Sequence, residues 1–500
     1  MASNPAKRTP KSPVRNDGPD LGRGDALRTR RVHLVGAGGS GMSGLGMMLH
    51  AQGASVTGSD QSDGPGLSPL HEVGIPIVLG PSAGGIPEDR NLLVHSAAIP
   101  HDHPELLEAQ HRGMEILSYA EALGRAQAER TGISIAGTHG KSTTTALLSH
   151  VLMEAGLDPS VIVGAHCPQL GGGWRVGADR VPGTGRFANR PGLMVCEACE
   201  FNRSFHHHRP VLGLINNIEE DHLDVYAGIE EIVESFRRFA ALLPAEDEGG
   251  YLLIAHDHAH RRGVVSGLDC AVETIGFTPD ADWQITISDD TVHLRGPEGD
   301  PAVEWTAPMP GVHNAANAGA AAVLANRAGA DWNDITRAIE GFAGLDRRMQ
   351  VLGERSVVGG GRVTVLDDYG HHPSEIEVTL KAIRNRWNPR RLICVFQPHQ
   401  HSRTRFLLDE FAASLTLADV VIVPHIYFVR DSEAERNRVS ATDLVERLRD
   451  RGTISMHVHP FETIIEQLET TCSDGDLVVV MGAGTVWEIG RDFLAKGGTS

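Results

Sequence analysis

"GISIAGTHGKSTTTALLSHVL", residues 132–152, decides the fold. An apolar, strand-like run from Ile133 to Ala136 leads through Gly137, Thr138, His139 and Gly140 into Lys141, Ser142 and Thr143. Leu147, Leu148, Val151 and Leu152 then recur with the spacing of one helix face. Strand, glycine loop and helix in this order form the context of a phosphate-binding loop. Unpaired N–H groups and the dipole at a helix N-terminus favour an anion, a lysine reaches its outer oxygens, and the adjacent hydroxyl can ligate Mg2+. The usual loop has a glycine five residues before the glycine of the Gly-Lys pair, and Ile135 stands there instead. On these residues alone, a ligand-free turn capped by Ser and Thr remains open.

Working outward, 500 residues are too many for one hydrophobic core. Strand-length apolar runs alternate with helical periodicity on both sides of the loop, which predicts three α/β domains in a row. The expected division is a tail at 1–30, then units at 31–130, 131–344 and 345–500. The tail carries Pro, Gly and scattered charge without an apolar stretch, and is expected to be disordered and not a signal peptide. No apolar run approaches the roughly 18–20 residues that span a bilayer. A net charge of -19 argues against non-specific nucleic-acid binding. Six scattered cysteines are no disulfide framework, so the expected compartment is the cytoplasm.

The first block opens "RVHLVGAGGSGMSGLGMMLHAQGASVTGSD". Its Gly36, Gly38 and Gly41 satisfy the dinucleotide fingerprint, and Asp60 ends the next strand, so a nicotinamide dehydrogenase is one reading; the same turn would hold any diphosphate. In the second block, Glu197 and Glu200 end one apolar strand, while Asp221 and His222 follow the next. These groups could meet beside the lysine loop, where Mg2+ would need oxygen ligands. Cys196 and Cys199 lack the second pair that a zinc finger needs, and His206, His207 and His208 read as a surface loop. In the third block, "LDDYGHHPSEI" and "FQPHQHSRTR" place Asp368, Tyr369, His371, His372, His399, His401, Arg403 and Arg405 in consecutive strand-to-helix loops. Open α/β sheets bind ligands at such strand ends, and arginines there suit a carboxylate or phosphate.

Taken together these motifs resemble those of the Mur ligases, from about residue 31 to 495. The resemblance implies a Rossmann-like N-terminal domain, a central P-loop ATPase-like domain and a C-terminal Rossmann-like domain. It also implies ATP-dependent ligation of L-alanine to UDP-N-acetylmuramate through an acyl phosphate, with Mg2+ and without nucleic acid or membrane as partner; monomer or homodimer is left undecided. "GAGGSGMSGLG" is similar to the loop that holds the UDP-sugar diphosphate, implying Gly36, Gly38, Gly39, Gly41, Met42 and Ser43, with Asp60 and Ser96 nearby. "GTHGKSTTT" is similar to the family's shortened ATP loop, implying Gly137 to Thr143 and relieving Ile135 of its oddity. "GVHNAANA" implies His313, Asn314 and Asn317 on the adenine side.

For catalysis the resemblance implies Lys141, Glu197, His222, His371 and either Arg347 or Arg348, with Ser142, Glu197 and His222 on the metal. Tyr369, His371 and Arg403 are implied for the amino acid. Gln400 stands where these ligases often have Arg, which leaves Arg403 for the alanine carboxylate. No lysine occurs between Lys141 and Lys381, as in the alanine-adding members, which lack the carbamylated lysine of other Mur ligases. Two rivals remain at this point besides the dehydrogenase: a ligase that returns a recovered peptide to the same UDP-sugar, and an ATP-binding module without chemistry.

Overall fold

The computed structural model describes residues 27–496 apart from 81–82, 223–224, 299, 358–359 and 430. Most of the expected tail therefore lies outside the described residues, but its last four are not tail. Leu27 is buried and its N–H donates to Glu129, while Arg30 is held by Asn91 and Glu115. The alternation of strand and helix periods resolves into three sheets, one after another along the chain.

The first sheet is parallel throughout, in the order Ile77–Leu79, Ser55–Asp60, Arg31–Val35, Leu92–His95, Glu115–Ser118. Its strand order reverses beside Arg31–Val35, so the glycine loop that follows this strand stands at the switch point where such sheets bind ligands. The second sheet has ten strands. Thr131–Ala136 lies inside it between Pro210–Ile215 and Leu193–Glu197, all parallel. An antiparallel extension, Trp283–Ser288 with Thr291–Arg295 and Val303–Thr306, continues one end of this sheet. The third sheet has six strands; Gln350–Ser356 is antiparallel to Arg362–Asp368 at one edge and the rest run parallel.

The helix Lys141–Glu154 is buried from Ser142 to Leu152, between the second sheet and the alanine-rich helix Val312–Ala328. Alanine on the facing helix lets the two backbones approach closely, so the phosphate-loop helix is gripped on more than one side. Leu148 is wholly buried there, and truncating such a side chain to alanine typically costs about 2–5 kcal/mol. The first two units also share a core, since Ile162, Met194 and Cys196 of the second sheet join the apolar cluster of Leu34, Leu45 and Met48. The position of the N-terminal loop relative to the central one is thereby fixed by packing and not left to a linker.

Candidate active site

The central loop owes its shape to its glycines. Gly140 caps the helix with φ +80, and a Cβ there would lie 2.5 Å from Asn317 Oδ1. No side chain caps the helix N-terminus, so its first N–H groups face outward. Lys141 Nζ folds over the loop, donating to the carbonyls of Gly137 at 2.5 Å and Thr138 at 2.9 Å, and pairs with Glu200 at 2.9 Å. Burial opposes the ammonium, but the Glu200 carboxylate outweighs it and raises the lysine pKa above its ordinary value.

Two cavities meet at this loop. The first, about 350 Å³, has Ile275, Phe277, Ile285, Met309 and Val312 among its walls and His313, Asn314 and Asn317 at its polar side. Asn314 donates to the Pro310 carbonyl, Asn317 donates to Asn314 and accepts from Thr144, and burial pushes His313 down to about 4. The second cavity, about 850 Å³, has the side chains of Lys141, Ser142, Glu197, His222, Arg347, Arg348, Tyr369 and His371 among its walls. His139, Gly140, Arg348 and Glu375 border both. A nucleotide with its base in the first cavity would thus direct phosphates past Gly140 into the second.

Glu197 accepts from the Gly164 N–H at 2.9 Å. His222 Nε2 lies 3.8 Å from Glu200 and 3.7 Å from Asp221, and burial lowers its pKa, so the ring is neutral and keeps a lone pair for a cation. Hydroxyl, carboxylate and imidazole therefore line the same cavity as the lysine, donor types that suit a divalent ion. Glu200 is set behind the cavity wall as the lysine's partner.

The two arginines differ in their engagements. Arg347 donates to the Gly482 and Gly484 carbonyls and lies 3.4 Å from Asp367, which ties it into the third sheet. Both guanidiniums lie over the Tyr369 ring, but Arg348 has a 3.7 Å approach to Glu375 and borders both cavities. Arg403 is already engaged, donating to Asp221 at 3.0 Å, and is absent from the walls of the second cavity. The guanidinium expected to take the alanine carboxylate thus already has one carboxylate partner. His371, pushed down to about 4 by burial, and Tyr369 do line the cavity.

At the N-terminal loop, Gly36 and Ala37 donate to the Ser59 carbonyl and Gly38 donates to Asp60 at 2.7 Å. Asp60 braces its own loop and takes the Gln61 N–H with its other oxygen, unlike the acidic residue of a dinucleotide site, which faces a ribose. Gly39 caps the following helix Ser40–Ala51 without a side-chain bond, leaving outward N–H groups. Gly41 lies against Tyr119, and Ser96 abuts Gly36. Met42 and Ser43 are buried, and the Ser43 hydroxyl donates to the Ser40 carbonyl, so neither side chain faces outward.

Several residues escaped the sequence reading. Glu219 and Glu375 flank His139 at 3.5 and 3.3 Å. Burial opposes a charge on that ring, but the two carboxylates hold it at about 9. Asp367, in the cavity wall beside Arg347, is pushed by burial to about 7. The acidic run "NNIEED" held a signal for Glu219, and Glu375 lies within "LDDYGHHPSEI", but it stands on the helix Pro373–Trp387 of the third unit and nothing local ties it to His139. The expected surface loop at His206–His208 is corrected too: His208 is buried and hydrogen-bonds Ser134, and His206 stacks on Phe205. Cys196 and Cys199 are free thiols, with Cys199 pushed by burial to about 12, far from redox reactivity.

With this geometry in hand, the chain was compared with known proteins. Residues 31–131 match the Mur ligase family, catalytic domain; 135–325 match the Mur ligase middle domain; 347–484 match the Mur ligase, glutamate ligase domain. The chain is similar to the UDP-N-acetylmuramate–L-alanine ligase of Caldanaerobacter subterraneus subsp. tengcongensis, 36% identical over 481 residues that cover 94% of this chain and 99% of the relative. The ligase of the same name from Agathobacter rectalis is 36% identical over 480 residues, again 94% and 99%. In fold, the chain resembles the UDP-N-acetylmuramate-alanine ligase of Thermotoga maritima, with TM-score 0.74 and 23% identity over 94% of this chain and 99% of that one. It also resembles a murein peptide ligase of Psychrobacter arcticus, with TM-score 0.69 and 24% identity over the same shares.

Proposed function

Because the chain belongs to the Mur ligase family, we infer that it joins L-alanine to UDP-N-acetylmuramate at the expense of ATP, in peptidoglycan precursor synthesis. The observation that carries this reading to particular residues is the meeting at Gly140 of two cavities, one reaching His313, Asn314 and Asn317 and the other Lys141, Glu197 and His222. The working boundaries are 31–130 for UDP-sugar binding, 131–344 for ATP and 345–500 for the amino acid. Among the described residues no helix is long and apolar enough to cross a membrane.

A carboxylate is a poor electrophile. The muramyl carboxylate therefore attacks the γ-phosphorus, the bond to the bridging oxygen breaks and ADP leaves; the alanine amine then attacks the acyl carbon and phosphate leaves. The first step depends on positioning and charge neutralisation. Lys141 supplies a buried, persistent positive charge to the transferring group, supported by Glu200 from behind. Of the two arginines we assign Arg348 to the phosphates, since Arg347 is occupied by carbonyls. The donor set of Ser142, Glu197 and His222 fits Mg2+, which when bound would neutralise phosphate charge. In the first cavity His313, Asn314 and Asn317 border the adenine, while the turn of Gly36, Gly38, Gly39 and Gly41 brings the UDP diphosphate to the outward N–H groups that open the helix Ser40–Ala51. Tyr369 and His371 line the amino-acid end. Arg403 can take the alanine carboxylate only by sharing its guanidinium with Asp221.

The reading is tested by phosphate release with purified protein, ATP and UDP-N-acetylmuramate. L-Alanine should be required for turnover. Release without L-alanine, or release that needs L-alanyl-γ-D-glutamyl-meso-diaminopimelate in its place, would sink it.

A further inference from the structure

The C-terminal sheet carries a cluster of ligating side chains outside both cavities. His425 lies two residues beyond the strand Val420–Val423, His457 ends the neighbouring parallel strand Ile454–His457, and His459 follows two residues later. Two adjacent strands thus deliver three imidazoles to one edge. The ring centroids of His425 and His459 are 3.8 Å apart, those of His425 and His457 4.9 Å, and those of His457 and His459 5.5 Å. One ligating nitrogen of each ring lies within 4.8 Å of the other two.

The middle ring is also held in the manner of a metal ligand. His457 Nδ1 lies 2.8 Å from the Val423 carbonyl, which can only accept, so Nδ1 is the donor and Nε2 is the nitrogen left to meet an ion. A second-shell bond of this kind fixes tautomer and ring direction in metal-binding histidines. We propose that His425, His457 and His459 form a binding site for a divalent ion of the zinc class, separate from the oxygen-donor site of the ligation reaction. Three imidazole nitrogens suit Zn2+ or Co2+ and not Mg2+, which prefers oxygen. A tetrahedral ion with bonds of about 2.1 Å sets its ligands roughly 3.4 Å apart. His425 and His459 are exposed, so their side chains are free to close the remaining distance, and water takes the fourth position.

Such an ion would staple the ends of the two outermost strands. It would also brace the loop beyond His425, which is already bound to the amino-acid side. The His425 carbonyl accepts from Gln397, Tyr427 donates to the Pro398 carbonyl, and the Tyr427 carbonyl accepts from the Gln400 N–H.

The test uses the full-length chain without a polyhistidine tag, saturated with Mg2+ and a non-hydrolysable ATP analogue so that the catalytic region is filled. Co2+ is titrated against its visible absorption, and Zn2+ by competition. We expect one ion per chain with a dissociation constant of about 10 μM or tighter, a tetrahedral Co2+ spectrum, and weakening by roughly 100-fold in His425→Gln and in His459→Gln. Ligase activity in Mg2+ alone should be unchanged in both, which shows that they fold. The absence of Co2+ binding in the wild type would overturn the proposal. So would binding that persists unchanged in the doubly substituted chain, since the ion would then sit elsewhere, for instance among His139, Glu219 and His372, whose ligating atoms are similarly close.

Discussion

At the end of Arg31–Val35 the chain turns through glycines into a helix with no side-chain cap, and at the end of Thr131–Ala136 it does so again. Both turns present outward N–H groups to an anion. Around the N-terminal loop the nearest charge is Asp60, which braces the turn from within. Around the central loop stand Lys141, Glu197, Glu200 and His222, with Arg348 reaching across from the third domain's side. The same local geometry therefore serves holding in one place and chemistry in the other. What separates them is the lysine's positive charge and its carboxylate neighbours.

Removing that charge should give the largest effect. Lys141→Ala is expected to lower turnover by at least about 1,000-fold, or roughly 4 kcal/mol, because contacts to the transferring phosphoryl act mainly in the transition state. UDP-N-acetylmuramate binding, measured by calorimetry, should remain within about twofold. Substantial residual phosphate release would erase the distinction between the loops. Loss of UDP-sugar binding as well would indicate misfolding.

A mirrored pair of glycine substitutions comes next. In Gly140→Ala the added carbon meets Asn317 Oδ1 at 2.5 Å in a left-handed turn, and in Gly41→Ala it meets Tyr119 Oη at 2.6 Å. Misplacing a reacting group by about 1 Å costs on the order of 100-fold. We expect kcat/KM for ATP to fall by that order in Gly140→Ala with KM for UDP-N-acetylmuramate unchanged. In Gly41→Ala the pattern should reverse, with KM for the UDP-sugar rising roughly tenfold. Equal effects of either substitution on both substrates would mean that the two loops do not act as separate sites.

The proposed Mg2+ donors belong to the central loop's cavity. Glu197→Ala and His222→Ala should each raise the half-saturating Mg2+ concentration by roughly tenfold, without altering UDP-sugar affinity. Activity measured across a Mg2+ series decides it; an unchanged requirement in both variants would move the ion toward Glu200.

Both loops, and the α/β class of all three sheets, were legible because each rests on residues adjacent in sequence: glycines that permit the turn, apolar periods that flank it. The strand ends bearing Glu197, Asp221 and His222 were legible for the same reason. What escaped depends on partners distant in the chain. Nothing local pairs Arg403 with Asp221, 182 residues away, and Arg347 and Arg348 are indistinguishable until the Gly482 carbonyl claims one. The histidine run 206–208 looks solvent-facing by composition, yet His208 turns inward to Ser134. The antiparallel extension from Trp283 to Thr306 was likewise missed, since its short alternating strands carry none of the motif residues.

The last difference between the loops is a titratable one. His139, within the central loop, lies between Glu219 and Glu375 and titrates at about 9 against an ordinary value of 6.5. Folding thus favours the protonated ring, so the stability it supplies is complete below about pH 6.5 and is lost as pH rises through about 9. Glu219, pulled down to about 2 from an ordinary 4.5 chiefly by its bond to His139, works at the other end: its contribution is complete above 4.5 and lost as pH falls through 2. The N-terminal loop contains no titratable residue between Gly36 and Gly41. The wild-type thermal midpoint should therefore fall between pH 6.5 and 9 by roughly 2–4 °C more than that of His139→Gln, a small effect because one group acts within a large chain. Differential scanning fluorimetry across that range reads the contrast. Parallel slopes would mean that His139 is neutral in the folded protein and meets its carboxylates as a hydrogen-bond partner only, and the central loop would then differ from the N-terminal one by Lys141 and the metal ligands alone.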